Sequence, residues 1–176
     1  RLGYPMFVKP ANAGSSVGVG KAKGKESLRA CLEEAFRYDE KVIVEAAISG
    51  QEIECAVLGG QEPTAGIPAE ICPAHEFYDY AGKYEDDSTT IHLPARVSEE
   101  NLQRIRDTAV RAFQVMGCQG LARVDFFLTG EGQVVVNEIN TLPGFTSISM
   151  YPKMMAACGI PYSGLIDRLI ALALER

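Results

Sequence analysis

Apolar positions change their period several times along the chain, and each change marks an element. Residues 6–9 form a short strand-like run that ends in Lys9 and Pro10. A loop of small residues, 11–16, leads into a second extended run at 17–22, and the two read as a hairpin. Leu28, Leu32, Ala35 and Phe36 recur at helical spacing, which predicts an amphipathic helix over 26–38. Residues 41–46 and 52–58 read as strands on either side of Ser49-Gly50, and 65–71 as a further strand. Residues 73–88 are polar and aromatic without a period, a long loop of the kind that is functional or disordered. Ser98 caps a helix running to about 116, with Leu102, Ile105, Ala109, Ala112, Phe113 and Met116 on one face, and Gly117 stops it. Strands at 121–128 and 133–140 flank the turn at 129–132. Helices at 148–158 and 162–175 follow, separated by Gly159 and Pro161. The order mixes strands and helices without a βαβ rhythm, so the fold class is α+β.

Composition narrows the function. Hydrophobic residues make up 47% of the 176 positions, enough for one good-sized core or two small ones. The longest apolar runs, such as 169–174, are too short to span a bilayer, which removes a membrane partner. A net charge of -6 argues against a nucleic-acid partner. Five cysteines, an odd and scattered set without C-x-x-C, read as free thiols in a reducing cytoplasm rather than a disulfide framework or a zinc site. The chain opens on Arg1 and runs straight into a strand, with no signal peptide, and so reads as a piece of a longer protein.

Three segments carry candidate chemistry. In Ala122-Arg123-Val124-Asp125 and Asn137-Glu138-Ile139-Asn140, residues two apart share a strand face. A hairpin turn then sets Arg123 and Asp125 opposite Glu138 and Asn140. Two carboxylates and an amide oxygen are hard ligands suited to Mg²⁺. The competing reading is a solvated face with one Arg–Asp salt bridge. The apolar residues between them, Val124, Phe126, Val135 and Ile139, favour the first reading by offering an opposite face to bury. Gly14-Ser15-Ser16-Val17-Gly18 presents small residues, amides and hydroxyls that suit phosphate oxygens, with Lys9 nearby as a cation. An ordinary hairpin turn explains the same residues. Glu45 ends a strand whose backbone can meet an adenine edge, and Glu52 can accept ribose hydroxyls, although a lone Glu is most often simply exposed.

Together these motifs resemble the D-alanine–D-alanine ligases of the ATP-grasp superfamily. The resemblance is carried by Phe7-Val8-Lys9-Pro10 with Gly14 to Gly18, Val44-Glu45 with Ser49-Gly50-Gln51-Glu52, and Phe77-Tyr78-Asp79-Tyr80 with Lys83-Tyr84. It extends through Ala122-Arg123-Val124-Asp125 and the run Asn137-Glu138-Ile139-Asn140-Thr141-Leu142-Pro143-Gly144-Phe145-Thr146. It covers essentially the whole chain in the family's order, and the last two motifs are the most specific.

The resemblance implies an ATP-grasp fold, with residues 1–52 as part of the central subdomain and 53–176 as the carboxyl-terminal subdomain. It implies ATP-dependent joining of two D-alanines through a D-alanyl phosphate, for peptidoglycan synthesis and cell shape. Lys9 contacts adenine and phosphates, Ser15 and Ser16 lie over the phosphates, Glu45 and the backbone near Ile48 hold adenine, and Glu52 holds the ribose. Asp125, Glu138 and Asn140 bind two Mg²⁺, or Mn²⁺ in their place. Arg123 and the Gly144 amide stabilise the oxyanion, and Ser149 receives the acceptor's carboxylate. A loop over 76–88 closes on ATP, with Lys83 near the γ-phosphate and Tyr84 against Ser15. A cytoplasmic enzyme, acting as a homodimer when full-length, is also implied. The family's amino-terminal domain, with its anchor for the first D-alanine, has no counterpart here, so the chain alone is expected to be inactive.

Two rivals stand beside this. One is a D-alanine–D-serine or D-alanine–D-lactate ligase of vancomycin-type resistance, a branch that residues 151–155 and 165–170 resemble. Tyr84 opposes D-lactate, and an apolar Met150 after Ser149 favours D-alanine as the acceptor; D-serine ligases can share the tyrosine loop, so that acceptor stays open. The other rival is an ATP-binding module without chemistry, which the intact set Arg123, Asp125, Glu138 and Asn140 opposes.

Overall fold

The structure is a computed structural model that describes residues 2–14, 16–73, 89–146 and 148–175. It divides into two compact units, Arg1–Ile48 with Pro73–Thr90, and Ser49–Cys72 with Ile91–Arg176. In the first unit, strands β1 (Met6–Pro10), β2 (Gly20–Ala22) and β3 (Val42–Ala46) form an antiparallel sheet in the order β2-β1-β3. Helix α1 (Lys25–Ala35) covers it, with Leu28, Cys31, Leu32 and Ala35 packed on Met6, Val8 and Ala22. The Ser27 hydroxyl accepts from the amides of Lys23 and Gly24 and ties down the helix start.

Two expectations change in this unit. The extended run at 17–22 is a strand only from Gly20, because Val17 and Val19 donate to Gly14 and Ser16 in successive turns. Gly18 has φ +70°, and a Cβ there would lie 2.6 Å from the Tyr38 ring, so glycine is required on two counts. The helix ends at Ala35 rather than 38. Arg37 and Tyr38 donate three residues back in a tightened turn, which leaves Phe36 55% exposed instead of on the apolar face.

The second unit is built on β4 (Gly50–Gly59), β6 (Ala69–Cys72), β7 (Thr90–His92), β8 (Gly120–Thr129) and β9 (Val134–Asn140), in the order β7-β6-β4-β8-β9, with the short β5 (Thr64–Ala65) also on β4. The β4–β8 ladder runs ten residue pairs, from Gly50 opposite Thr129 to Gly59 opposite Gly120. One face carries Ile53, Cys55, Val57, Ala122, Val124, Phe126 and Leu128 into a core with Ile105, Ala109 and Phe113 of helix α2 (Glu99–Val115). Those three helix residues follow the four-residue repeat read from the sequence. Helices α3 (Met150–Ala156) and α4 (Tyr162–Leu174) complete the unit. Tyr151, Met154 and Met155 of α3 are buried, and the Tyr151 hydroxyl donates to the Val57 carbonyl at 3.0 Å.

The run at 65–71 is two strands, not one. Pro68 has no amide to give to a ladder, and β6 starts immediately after it. Strand β7 was not anticipated from the sequence, being only three residues with a single apolar one, Ile91. The β8–β9 hairpin contains a bulge: Phe126 faces Val136 and Asp125 faces Glu138, leaving Asn137 as the extra residue. The bulge changes which valine packs on the core. Val135 pairs with Phe127, while Val134 and Ile139 pack on the core.

Candidate functional site

The hairpin expected to carry the chemistry forms in the second unit, with Asp125 opposite Glu138 and Arg123 opposite Asn140. Directly paired residues share a face, so the four side chains project from the same side of β8 and β9, away from the α2 core. Without the bulge, strict alternation from the core-facing Val134 would have turned Glu138 and Asn140 toward the core.

Arg123 donates twice to Asp125, Nε to Oδ1 and a terminal nitrogen to Oδ2, both at 2.7 Å. Only 6% of the Asp125 side chain and 20% of the Arg123 side chain are exposed. The Asn140 Oδ1 accepts from the Leu142 amide at 3.1 Å, which fixes its orientation.

One residue of this face was missed by sequence reasoning. Glu54 pairs with Asp125 across β4–β8, and its Oε1 lies 3.5 Å from Arg123 Nε. Glu54 is also buried. The signal was a carboxylate inside an otherwise apolar strand, masked by its resemblance to the half-buried Glu52 two residues earlier. Burial pulls the Arg123 pKa down, but the Asp125 hydrogen bonds and the charges of Asp125, Glu54 and Glu138 outweigh it and hold the guanidinium firmly protonated.

The donor set fits a hard divalent cation. A carboxylate has about four acceptor positions, so Asp125 keeps capacity beyond its two bonds to Arg123. Among the described residues no group of three or more His, Cys, Asp and Glu side chains gathers round one point. A metal reading therefore rests on Asp125 and Glu138 with the Asn140 amide oxygen.

The segment after β9 turns tightly into α3. The Ser149 hydroxyl accepts from the Thr146 amide at 3.0 Å and meets the Thr146 hydroxyl at 2.9 Å. A Cβ on Gly144 would lie 2.8 Å from that same hydroxyl oxygen, so glycine lets the turn close. Phe145 anchors the turn, its ring 5.9 Å from that of Tyr151 and 5.2 Å from that of Tyr162, while the Tyr162 hydroxyl donates to the Phe145 carbonyl. The Gly144 backbone is exposed and Ser149 half-buried.

In the first unit, Lys9 Nζ and Glu45 Oε1 form an ion pair of 2.8 Å across β1–β3. Ser16 sits at the turn with φ 60°, and Ile48 is exposed just beyond β3. Glu52 belongs to the second unit, on the face of β4 that carries Glu54. Ser15, Lys83 and Tyr84, and the loop expected over 76–88, lie outside the described residues.

A second buried acid was invisible in the sequence. Glu70 accepts from Arg96 Nε at 2.8 Å, a terminal Arg96 nitrogen at 3.1 Å and Gln51 Nε2 at 3.0 Å. The Arg96 hydrogen bonds, overriding burial, hold its carboxyl down at about 2. All five cysteines are free thiols, and burial raises Cys55 to about 12, which makes it inert.

Comparison with known proteins places these features together. Residues 1–171 match the family described as D-ala D-ala ligase C-terminus. The chain is 54% identical over 175 residues to a D-alanine–D-alanine ligase of Geobacillus thermodenitrificans, covering 99% of this chain and 48% of the relative. It is 57% identical to D-alanine–D-alanine ligase A of Chromobacterium violaceum, covering all of this chain and 48% of that one. Among solved structures, the VanG D-Ala:D-Ser ligase of Enterococcus faecalis matches with TM-score 0.89 and 46% identity, over 98% of this chain and 50% of its own. A D-alanine–D-alanine ligase of Coxiella burnetii matches with TM-score 0.87 and 43% identity, over 98% of this chain and 46% of its own. The chain thus spans about half the length of the curated relatives it matches.

Proposed function

This chain belongs to the D-alanine–D-alanine ligase family, as its carboxyl-terminal, ATP-grasp part, and on that premise we propose that it supplies the nucleotide, metal and acceptor sites of an enzyme making D-alanyl-D-alanine for peptidoglycan. The observation that carries the reading is the cross-strand face of Arg123, Asp125, Glu138 and Asn140, held in register by ten-pair and six-pair ladders. A carboxylate is a poor electrophile. Transfer of the γ-phosphoryl group of ATP to the carboxylate of one D-alanine gives an acyl phosphate and ADP. The amine of a second D-alanine then attacks the acyl carbon, loses a proton, and expels phosphate.

Catalysis of this kind is positioning and charge neutralisation. In this reading Lys9 meets adenine and phosphates, with Ser15 and Ser16 over the phosphates and Lys83 by the γ-phosphate. Glu45 and the backbone at Ile48 hold adenine, and Glu52 the ribose. Arg123 and the Gly144 amide face the oxyanion, Ser149 takes the acceptor's carboxylate, and Tyr84 closes against Ser15. Asp125, Glu138 and Asn140 would hold two Mg²⁺, which when bound neutralise phosphate charge. Residues 1–52 and 53–176 act as part of the central subdomain and the carboxyl-terminal subdomain. A cytoplasmic location and a homodimer go with the same reading.

The test uses the full-length protein in an assay of ADP release with D-alanine and Mg²⁺. Glu138→Gln is expected to cut Mg²⁺-dependent turnover by about 100-fold, in line with loss of a metal partner, while Tm moves little. Unchanged turnover and Mg²⁺ dependence would remove the metal assignment. Competition between D-alanine and D-serine as acceptors decides the substrate, and preferential use of D-serine would overturn the D-alanine reading.

A further inference from the structure

The polar face of the second unit holds more negative charge than positive. Glu54, Asp125 and Glu138 form a row across β4, β8 and β9, each opposite the next. Adjacent strands lie about 4.8 Å apart, so the row spans roughly 10 Å. Arg123 lies one step along the same face of β8 and contacts two of the three acids, Asp125 at 2.7 Å and Glu54 at 3.5 Å. Its neighbour across β4 is Ala56, fully buried and too small to block the guanidinium from reaching Glu54.

Arg123 and a cation compete for the same carboxylate. Both Asp125 oxygens take a short bond from Arg123. Mg²⁺ demands near-ideal octahedral geometry at about 2.0–2.1 Å. Seated on a remaining lone pair of Asp125, it draws charge from both oxygens and reorients the carboxylate, which weakens the two-point clamp. A largely buried guanidinium whose pairing weakens needs another anion, or it swings toward water. Glu54 is the anion already beside its Nε. Glu138, on the far side of Asp125, belongs to the donor set itself.

We infer that Glu54 is a positioning residue that holds Arg123 in place while Asp125 turns to the metal, so that one guanidinium is handed between two carboxylates as the cation comes and goes. This rests on the proposed function for the metal and for Arg123, and adds to it a residue outside both sets. Glu54 acts through Arg123 and not as a ligand. A carboxylate in that position also discriminates against glutamine: the amide is isosteric but cannot draw the guanidinium off Asp125 as strongly.

The experiment is a double-mutant cycle on Mn²⁺ binding, followed by electron paramagnetic resonance with the full-length protein and a non-hydrolysable ATP analogue. Binding is read without turnover. In the wild-type background, E54Q should weaken Mn²⁺ about tenfold, the scale of an outer-shell partner. In the R123M background the same change should fall within the about twofold scatter of independent sites. Alongside, the ¹⁵N signal of the Arg123 Nε–H should persist on metal addition in wild type. In E54Q it should be present without metal and lost with it. E54D, which keeps a carboxylate, should restore part of the affinity, and serves in both backgrounds if E54Q does not fold. Equal weakening in both backgrounds would mean that Glu54 acts on the metal directly, and no weakening in either would mean that it does nothing for the site; both overturn the inference while leaving the metal reading intact. A wild-type protein that binds no Mn²⁺ sinks the metal reading and this inference together.

Discussion

Arg123 and Asp125 were readable as a pair because residues two apart on a strand need no tertiary knowledge to share a face. Glu138 and Asn140 were readable by the same rule, and the short 129–132 turn supplied the pairing. Glu54 was not readable, because only the β4–β8 register sets it opposite Asp125. The Glu70–Arg96 pair is harder still, joining residues 26 apart through a site with no local signature. That pair makes a pH prediction. Glu70 has its carboxyl at about 2 in the fold against an ordinary 4.5, so the stability it lends is full above pH 4.5 and is lost as pH falls through 2. Arg96 is 59% exposed, so solvent screens part of the interaction. Arg96→Met should therefore cost about 1–2 kcal/mol at pH 7. Urea unfolding from pH 7 to pH 2 should show the gap between wild type and variant closing below pH 4.5; a constant gap would mean that packing, not charge, sets it.

Elements with an unbroken period were located to within a few residues, and those that failed did so for stated reasons. Helix α2 succeeded because Ser98 marks its start and Gly117 its end. The Ser98 hydroxyl accepts from the Asn101 amide at 3.3 Å. That bond is long, so Ser98→Ala should cost about 0.5–1 kcal/mol, the lower part of the range for caps, as measured by urea denaturation. The 17–22 run failed because valines separated by glycine look extended whether or not they pair. Gly18→Ala should destabilise the first unit by about 1–3 kcal/mol, from the positive φ and the Tyr38 ring; an unchanged Tm would show that Tyr38 yields freely. The bulge at Asn137 escaped detection because an extra residue leaves no mark in a run of apolar letters, and it misassigned Val135.

On the scale of the whole molecule, the α+β class and ATP-grasp family follow from the order of the motifs, which is local information repeated along the chain. The grouping of Pro73–Thr90 with Arg1–Ile48, apart from its sequence neighbours, is not local and leaves no mark in the sequence. The reading that puts an anchor for the first D-alanine outside these residues predicts that the 176-residue chain alone turns over orders of magnitude more slowly than the full-length protein, since orientation is worth about 7–11 kcal/mol. ADP release at saturating D-alanine checks this, and comparable rates would require the first substrate to be held here. The ten-pair β4–β8 ladder has its own consequence in time. Glu54 and Asp125 stand in its middle, not on a loop, so their amides open only when the sheet itself opens. Deuterium should enter those two positions as slowly as it enters the buried Ile53 and Phe126, and far more slowly than it enters the turn from Gly144 to Ser149. On warming, the acidic row then keeps its geometry until the unit melts, whereas the turn from Gly144 to Ser149 loosens first; under the proposed reading, activity lost below the melting point would be lost grip on the second amino acid before lost charges.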